Sequence, residues 1–228
     1  MPKLPPARDL RTRTAAAALL PALALATTVA CRAPGEPSAE ELRDRATAPG
    51  TGEVRARALD AVQAELDEVT QSLPELHRYT VVVRDLCLRG QGWDYELQDA
   101  PGPALECSVR ATAYFGTDED MPALLRRIAE ALPDYAEAAQ EELEGWGRAP
   151  SAGHLPWEGG IPGVEWETPE GGLIDDPYPC QDESDGIIYS RCTPDAPEEV
   201  PLDEIRGAHE SVLTWSSSEN YLTVPRND

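Results

Sequence analysis

Apolar residues recur at Leu59, Val62, Leu66, Val69, Leu73 and Leu76 in steps of three and four, with Arg55, Arg57, Asp60, Glu65, Asp67 and Glu68 on the other faces. That period predicts an amphipathic helix with one buried stripe. The stripe lasts fewer than three heptads, so it suits a helix packed on its own sheet better than a coiled coil. Farther along, the period falls to two. Leu105, Cys107, Val109, Ala111, Ala113 and Phe115 alternate with Glu106, Ser108, Arg110, Thr112 and Tyr114, the mark of a strand buried on one face. His77 to Leu88 reads as its antiparallel partner across the polar loop Arg89 to Ala104. Matching Tyr79 with Phe115 and Val81 with Ala113 sets Cys87 opposite Cys107, and opposed strand residues lie within the Cα span of a disulfide, about 4.4 to 6.8 Å.

Thr117-Asp118-Glu119-Asp120 opens a second helical stripe through Met121, Leu124, Leu125, Ile128, Leu132, Tyr135, Leu143 and Trp146. Carboxylates at a helix start are what the dipole favours, so this triplet reads as a cap and not as a cation site. Pro133 predicts a kink or two abutting helices. Beyond Arg148 the pattern breaks into short strands among Gly and Pro: Val164 to Glu167, Leu173-Ile174, and a hairpin turning at Asp185-Gly186 into Ile187-Ile188-Tyr189-Ser190. A short helix over Leu202 to Ala208 and a last hairpin, Val212 to Trp215 with Tyr221 to Val224, complete the prediction. The expected fold class is α+β, an antiparallel sheet with two main helices packed on one face and two disulfides. From Gly52 to Ile174 the order helix, strand, strand, helix, strand resembles a ferredoxin-like plait lacking its first strand, a likeness that carries no function.

Charge narrows the partners. With 19 basic against 42 acidic residues the formal net charge is −23, which excludes nucleic acid, since phosphate binding needs clustered Lys and Arg. Anionic headgroups would repel the same surface. The amino-terminal stretch departs from this pattern: Lys3, Arg8, Arg11 and Arg13 precede an apolar run from Ala15 to Ala26, and small residues lead to Cys31. This is the order of an export signal, and the run, interrupted by Pro21, falls short of the roughly 20 apolar residues of a membrane span.

The segment resembles a bacterial lipoprotein signal, with Thr28-Val29-Ala30-Cys31 as its lipobox and Thr28 standing where the family usually has Leu. The resemblance implies that residues 1–30 are removed as a signal peptide and that Cys31 is acylated. The mature chain is then held on the extracytoplasmic face of the cell membrane by that lipid. The single lysine, Lys3, and the abundance of Arg, Ala and Pro resemble proteins of high-GC Gram-positive bacteria. Residues 31–51, rich in Pro, Gly and charge, read as a flexible tether, and residues 52–228 as a single α+β domain. Cys87, Cys107, Cys180 and Cys192 form an even set in an exported chain, which favours disulfides. The strand patterns select Cys87–Cys107 and Cys180–Cys192 among three formal pairings.

Chemistry is harder to find. His77, His154 and His209 are scattered without zinc-ligand spacing, and Gln181 to Gly186 lacks the first and last carboxylates of an EF-hand loop. No metal and no cofactor is expected. No G-x-S-x-G elbow, phosphate loop or H-E-x-x-H motif occurs. Trp157, Trp166 and Tyr178, in Gly/Pro-rich chain, are the candidate binding surface for an envelope glycan or another exported protein. The expected function is that of a non-catalytic binding or accessory protein of the cell envelope. The alternative is a cell-wall-acting hydrolase using paired carboxylates.

Overall fold

A computed structural model describes residues 37–89, 102–146, 152–156, 162–168, 174, 186–193 and 202–226. At its centre His77–Leu88 (β1) and Leu105–Thr117 (β2) form the expected antiparallel hairpin, with Val81 opposite Ala113 and Cys87 opposite Cys107. The two cysteines are disulfide-bonded. One detail differs: the register shifts between Arg78 and Thr80, so Tyr79 is the extra residue of a β-bulge and does not face Phe115. The bulge reverses the facing of the first residues of β1. By simple alternation Tyr79 would share a face with Val81 and Val83.

Around this hairpin the sheet has six strands, ordered β3-β4-β6-β2-β1-β5, every neighbouring pair antiparallel. The remaining strands are Ala152–Pro156 (β3), Pro162–Glu167 (β4), Ile187–Thr193 (β5) and Ser211–Val224 (β6). The last hairpin expected from the sequence is instead one continuous 14-residue strand, β6, paired along the whole of β2. Ser216-Ser217-Ser218 looked like a turn because it is polar. In the structure Ser216 and Ser217 are buried and partnered: Ser216 Oγ lies 2.9 Å from Thr112 Oγ1, and Ser217 Oγ donates to Glu65 at 2.5 Å. β6 fills the place between β4 and β2 that a leading strand would take in a plait, so the chain supplies that strand last.

Pro49–Ser72 (α2) lays Ala58, Val62, Leu66 and Val69 against Val109, Ala111, Ala113, Phe115, Leu213 and Trp215 of the sheet. Met121–Ala131 (α3) and Ala136–Gly145 (α4) join the same core, separated at Pro133 by a single 3-10 turn, Pro133–Tyr135, in agreement with the predicted break. Leu202–Ala208 (α5) packs on the opposite face, with Leu202 and Ile205 against Val82, Tyr114 and Val212.

From residue 37 onward, the segment expected to be a flexible tether is instead helical and packed on the domain. Ala39–Thr47 (α1) is helical, opened by a capping box in which Ser38 Oγ accepts from the Glu41 backbone N–H while the Glu41 carboxylate accepts from that of Ser38. Leu42 and Ala46, one turn apart, are buried against Cys87, Cys107 and Leu105. α2 then begins ten residues ahead of the predicted stripe, with Pro49 in the first turn, where a missing N–H costs nothing. Thr51 Oγ1 donates to Arg45 O at 2.7 Å and Arg55 Nη2 to Ala46 O at 2.8 Å, fixing the corner between the two helices.

Candidate functional site

β1 runs from one end of the sheet, at His77, to the other, beside the disulfide. Its 12 residues, at about 3.3 Å each, set the two ends roughly 35 Å apart. At the disulfide end Tyr221 is itself a bulge residue, lying where the β2–β6 register shifts between Cys107 and Ser108. Its hydroxyl donates to Asp85 Oδ1 at 2.6 Å, and Arg55 Nε lies 2.5 Å from Asp85 Oδ2. The Arg55 guanidinium also sits 4.5 Å above the Tyr189 ring. Burial pushes the Asp85 carboxyl above its ordinary range although Tyr221 and Arg55 pull the other way, and burial together with Asp85 pushes the Tyr221 phenol upward. α1 covers this cluster, whose polar atoms are spent on one another. It is a structural joint.

The other end is built differently. The bulge at Tyr79 turns its hydroxyl toward the residue following α5, so that Tyr79 Oη lies 2.9 Å from His209 Nε2. His209 Nδ1 lies 3.2 Å from Asp118 Oδ1, an oxygen that also accepts the Glu210 backbone N–H. The His77 ring stacks on His209 with centroids 5.2 Å apart. Gly116 supplies the remaining wall: a Cβ there would lie 2.0 Å from His209 Cδ2, so the imidazole occupies space that only glycine leaves open. The ring is thereby held by a carboxylate, a second imidazole and bare backbone.

Next to it lies a hollow of about 120 Å³ bounded by Glu167, Thr168, Arg206, His209, Glu210, Ser211 and Val212. Glu167, buried at the end of β4, accepts from Arg206 Nε at 2.6 Å and from the Ile174 N–H at 2.8 Å. The volume falls below the roughly 300 Å³ at which pockets enclose a drug-sized ligand; it fits a side chain or a small group presented from outside. On the other side of the β1 start, Arg127 bridges Glu75 at 2.9 Å and Glu119 at 3.0 Å. Burial raises the Glu119 carboxyl, Arg127 opposes that, and the adjoining Glu75 adds to it.

Trp166 is buried, its ring 6.4 Å from that of Trp146, so it is core and not an exposed stacking surface. It lies on β4 directly behind Gly153, which gives the ring its room. Cys31, Trp157, Tyr178 and Cys180 lie outside the described residues. Cys192 is buried on β5, and its expected bridge to Cys180 therefore stays an expectation. The sequence reading missed the Tyr79–His209–Asp118 grouping. Tyr79 and His209 are 130 positions apart, and no motif announces a bulge. Among the described residues there is no group of three or more His, Cys, Asp or Glu fit to hold a metal ion, and no helix long and apolar enough to cross a membrane. No protein-family model matches the chain, and neither the curated proteins nor the solved structures yield a match.

Proposed function

We propose that the chain is a lipid-anchored extracytoplasmic protein of the cell envelope with a binding or accessory role, held at its α1 end and presenting the His209 end to partners. The observation that carries this reading is the leader ending in Cys31 taken together with the buried cross-strand disulfide Cys87–Cys107, a bond that persists in oxidising compartments. Pro37 follows Cys31 by six positions, and an extended chain of that length reaches at most about 20 Å. An acyl group on Cys31 would thus keep α1 and the disulfide end close to the bilayer. The His209 end lies roughly 35 Å along β1 from the disulfide end.

Labelling cells with a fatty-acid probe tests the anchor. The wild-type chain should take the label and partition with membranes, whereas Cys31→Ala should lose the label and be either shed or retained as an unprocessed precursor. Equal labelling of that variant overturns the reading.

A second reading, a hydrolase acting on cell-wall polymer, is favoured by one feature: the carboxyl pair Glu75 and Glu119 under Arg127, in which burial and the adjoining Glu75 push the Glu119 carboxyl upward. Incubation of the purified protein with cell-wall sacculi separates the two. Soluble fragments released by the wild type and not by Glu119→Gln would establish the hydrolase; intact sacculi support binding.

A further inference from the structure

We infer that Tyr79 is a nucleophilic site whose hydroxyl, with His209 as its proton acceptor, takes an acyl group from a neutral ester. This inference does not depend on the lipid anchor or on a binding role. Asp118 Oδ1 accepts the Glu210 N–H and, as a carboxylate, has only acceptor capacity to offer His209 Nδ1. The neutral imidazole facing it therefore carries its proton on Nδ1. That leaves Nε2 with a lone pair, 2.9 Å from the Tyr79 oxygen, within the reach a general base needs. An imidazole oriented by a carboxylate and abutting a hydroxyl is the arrangement that activates hydroxyl nucleophiles elsewhere.

Three further observations show that the arrangement is built. The β-bulge is what aims Tyr79 at His209, and bulges are concentrated where a side chain must be re-aimed beside a functional site. Gly116 leaves space for the ring, and His77 covers its other side. The two partners also differ in access: Tyr79 is 36% exposed, open to a reagent, while the His209 side chain is only 10% exposed and partly shielded from water. Charge selects the reagent. Asp118 and Glu210 flank the imidazole on a chain of net charge −23, which repels phosphoesters and carboxylates and leaves uncharged acyl donors as the class admitted.

In the step, the Tyr79 oxygen forms a bond to the acyl carbon as the bond from that carbon to the leaving oxygen breaks. The phenol proton passes to His209 Nε2 and from there to the departing alkoxide. The products are O-acyl-Tyr79 and an alcohol, with no change of oxidation state. Asp118 is a positioning residue that keeps the proton on Nδ1.

The test uses the purified protein and 4-nitrophenyl acetate. One equivalent of nitrophenol per chain should appear, with the acetyl group mapped to Tyr79, at a rate at least tenfold above that of N-acetyltyrosinamide. General-base assistance is typically worth about 10²- to 10⁴-fold, so His209→Gln should slow acetylation of Tyr79 at least tenfold, and Tyr79→Phe should remove it. Asp118→Ala should slow it severalfold, with Asp118→Asn, which keeps a carbonyl acceptor for Nδ1–H, recovering part of the loss. Asp118 is exposed, so its variants report even if His209→Gln fails to fold. Acetylation of Tyr79 at the rate of the free amino-acid amide, or at the wild-type rate in Asp118→Ala, overturns the proposal.

Discussion

Two tyrosines leave this sheet at β-bulges, and each places its hydroxyl on a group tied to a carboxylate. Tyr221 meets Asp85 and Arg55 beside the disulfide, under α1; Tyr79 meets His209 and Asp118 at the far end of β1. Their surroundings differ. Around Tyr221 the partners are a buried carboxylate and a guanidinium packed on aromatic rings, so the hydrogen bonds hold three chain segments together. Around Tyr79 the partner is an imidazole whose Nε2 lies 2.9 Å from the phenol oxygen, and the phenol stays exposed. The same local device therefore serves a joint at one end and reactivity at the other. What distinguishes them is whether the hydroxyl's partner is already neutralised.

If the Tyr221 end is a joint, breaking it should cost stability first. Asp85→Ala leaves the Arg55 charge without its partner and the Tyr221 hydroxyl without an acceptor; loss of one member of a buried pair typically costs about 3–5 kcal/mol. Denaturant unfolding should show a drop near the lower part of that range, because Arg55 keeps some solvent contact. An effect below about 1 kcal/mol would place this pair among ordinary surface ion pairs. Next in size is the double replacement Cys87→Ala, Cys107→Ala. Opening a bridge with a sequence separation of 20 should cost about 3 kcal/mol on the chain-entropy account, read as a lowered unfolding midpoint in non-reducing buffer.

Tyr221→Phe removes the hydroxyl that donates to Asp85 and accepts from Arg55, and keeps the ring over which Arg55 lies, so a loss of at least about 1.5 kcal/mol is expected. The same cluster fixes a sign in pH. Burial raises the folded-state pKa of Asp85 above its ordinary 3.8, so the folded protein holds this proton more tightly than the unfolded one. That contribution is complete below the ordinary value and is lost as pH climbs through the raised one. Between those limits the difference in unfolding free energy, wild type minus Asp85→Asn, should fall as pH rises. A difference that grows with pH would mean that Arg55 and Tyr221 outweigh burial.

Much of the architecture was legible because it rests on periodicity. The stripes of α2 and α3, the hairpin of β1 and β2 and the pairing of Cys87 with Cys107 follow from residues spaced to bury one face. The failures arise where local chemistry was outvoted. Pro49 and Gly50 looked like breakers but fall in a helix's first turn, and the Ser38/Glu41 capping box, present in the sequence, announced α1. The serine run of β6 is polar yet buried, because Thr112 and Glu65 supply partners from distant segments. The Tyr79 site depends on an inserted residue that reverses alternation and on Gly116, whose missing side chain is needed for a ring arriving from after α5. No pattern within one segment encodes such a meeting.

The smallest expected effect sharpens the comparison most. Tyr79→Phe deletes a hydroxyl bonded to His209 on an exposed ring, and the imidazole keeps Asp118, His77 and the Gly116 backbone around it. Water can replace the lost donor at an open site, so the unfolding free energy should change by less than about 0.5 kcal/mol, as for surface substitutions without a structural task. Tyr221→Phe makes the same chemical change on the other bulge and should cost severalfold more. Measured side by side under one buffer and one denaturant, the two phenylalanine variants remove identical atoms, so any difference between them belongs to the surroundings. Equal losses would show that both bulged tyrosines are joints and would remove the case for a reactive hydroxyl at Tyr79. A loss confined to Tyr221→Phe, with acetylation abolished only in Tyr79→Phe, assigns stability to one end of the sheet and chemistry to the other.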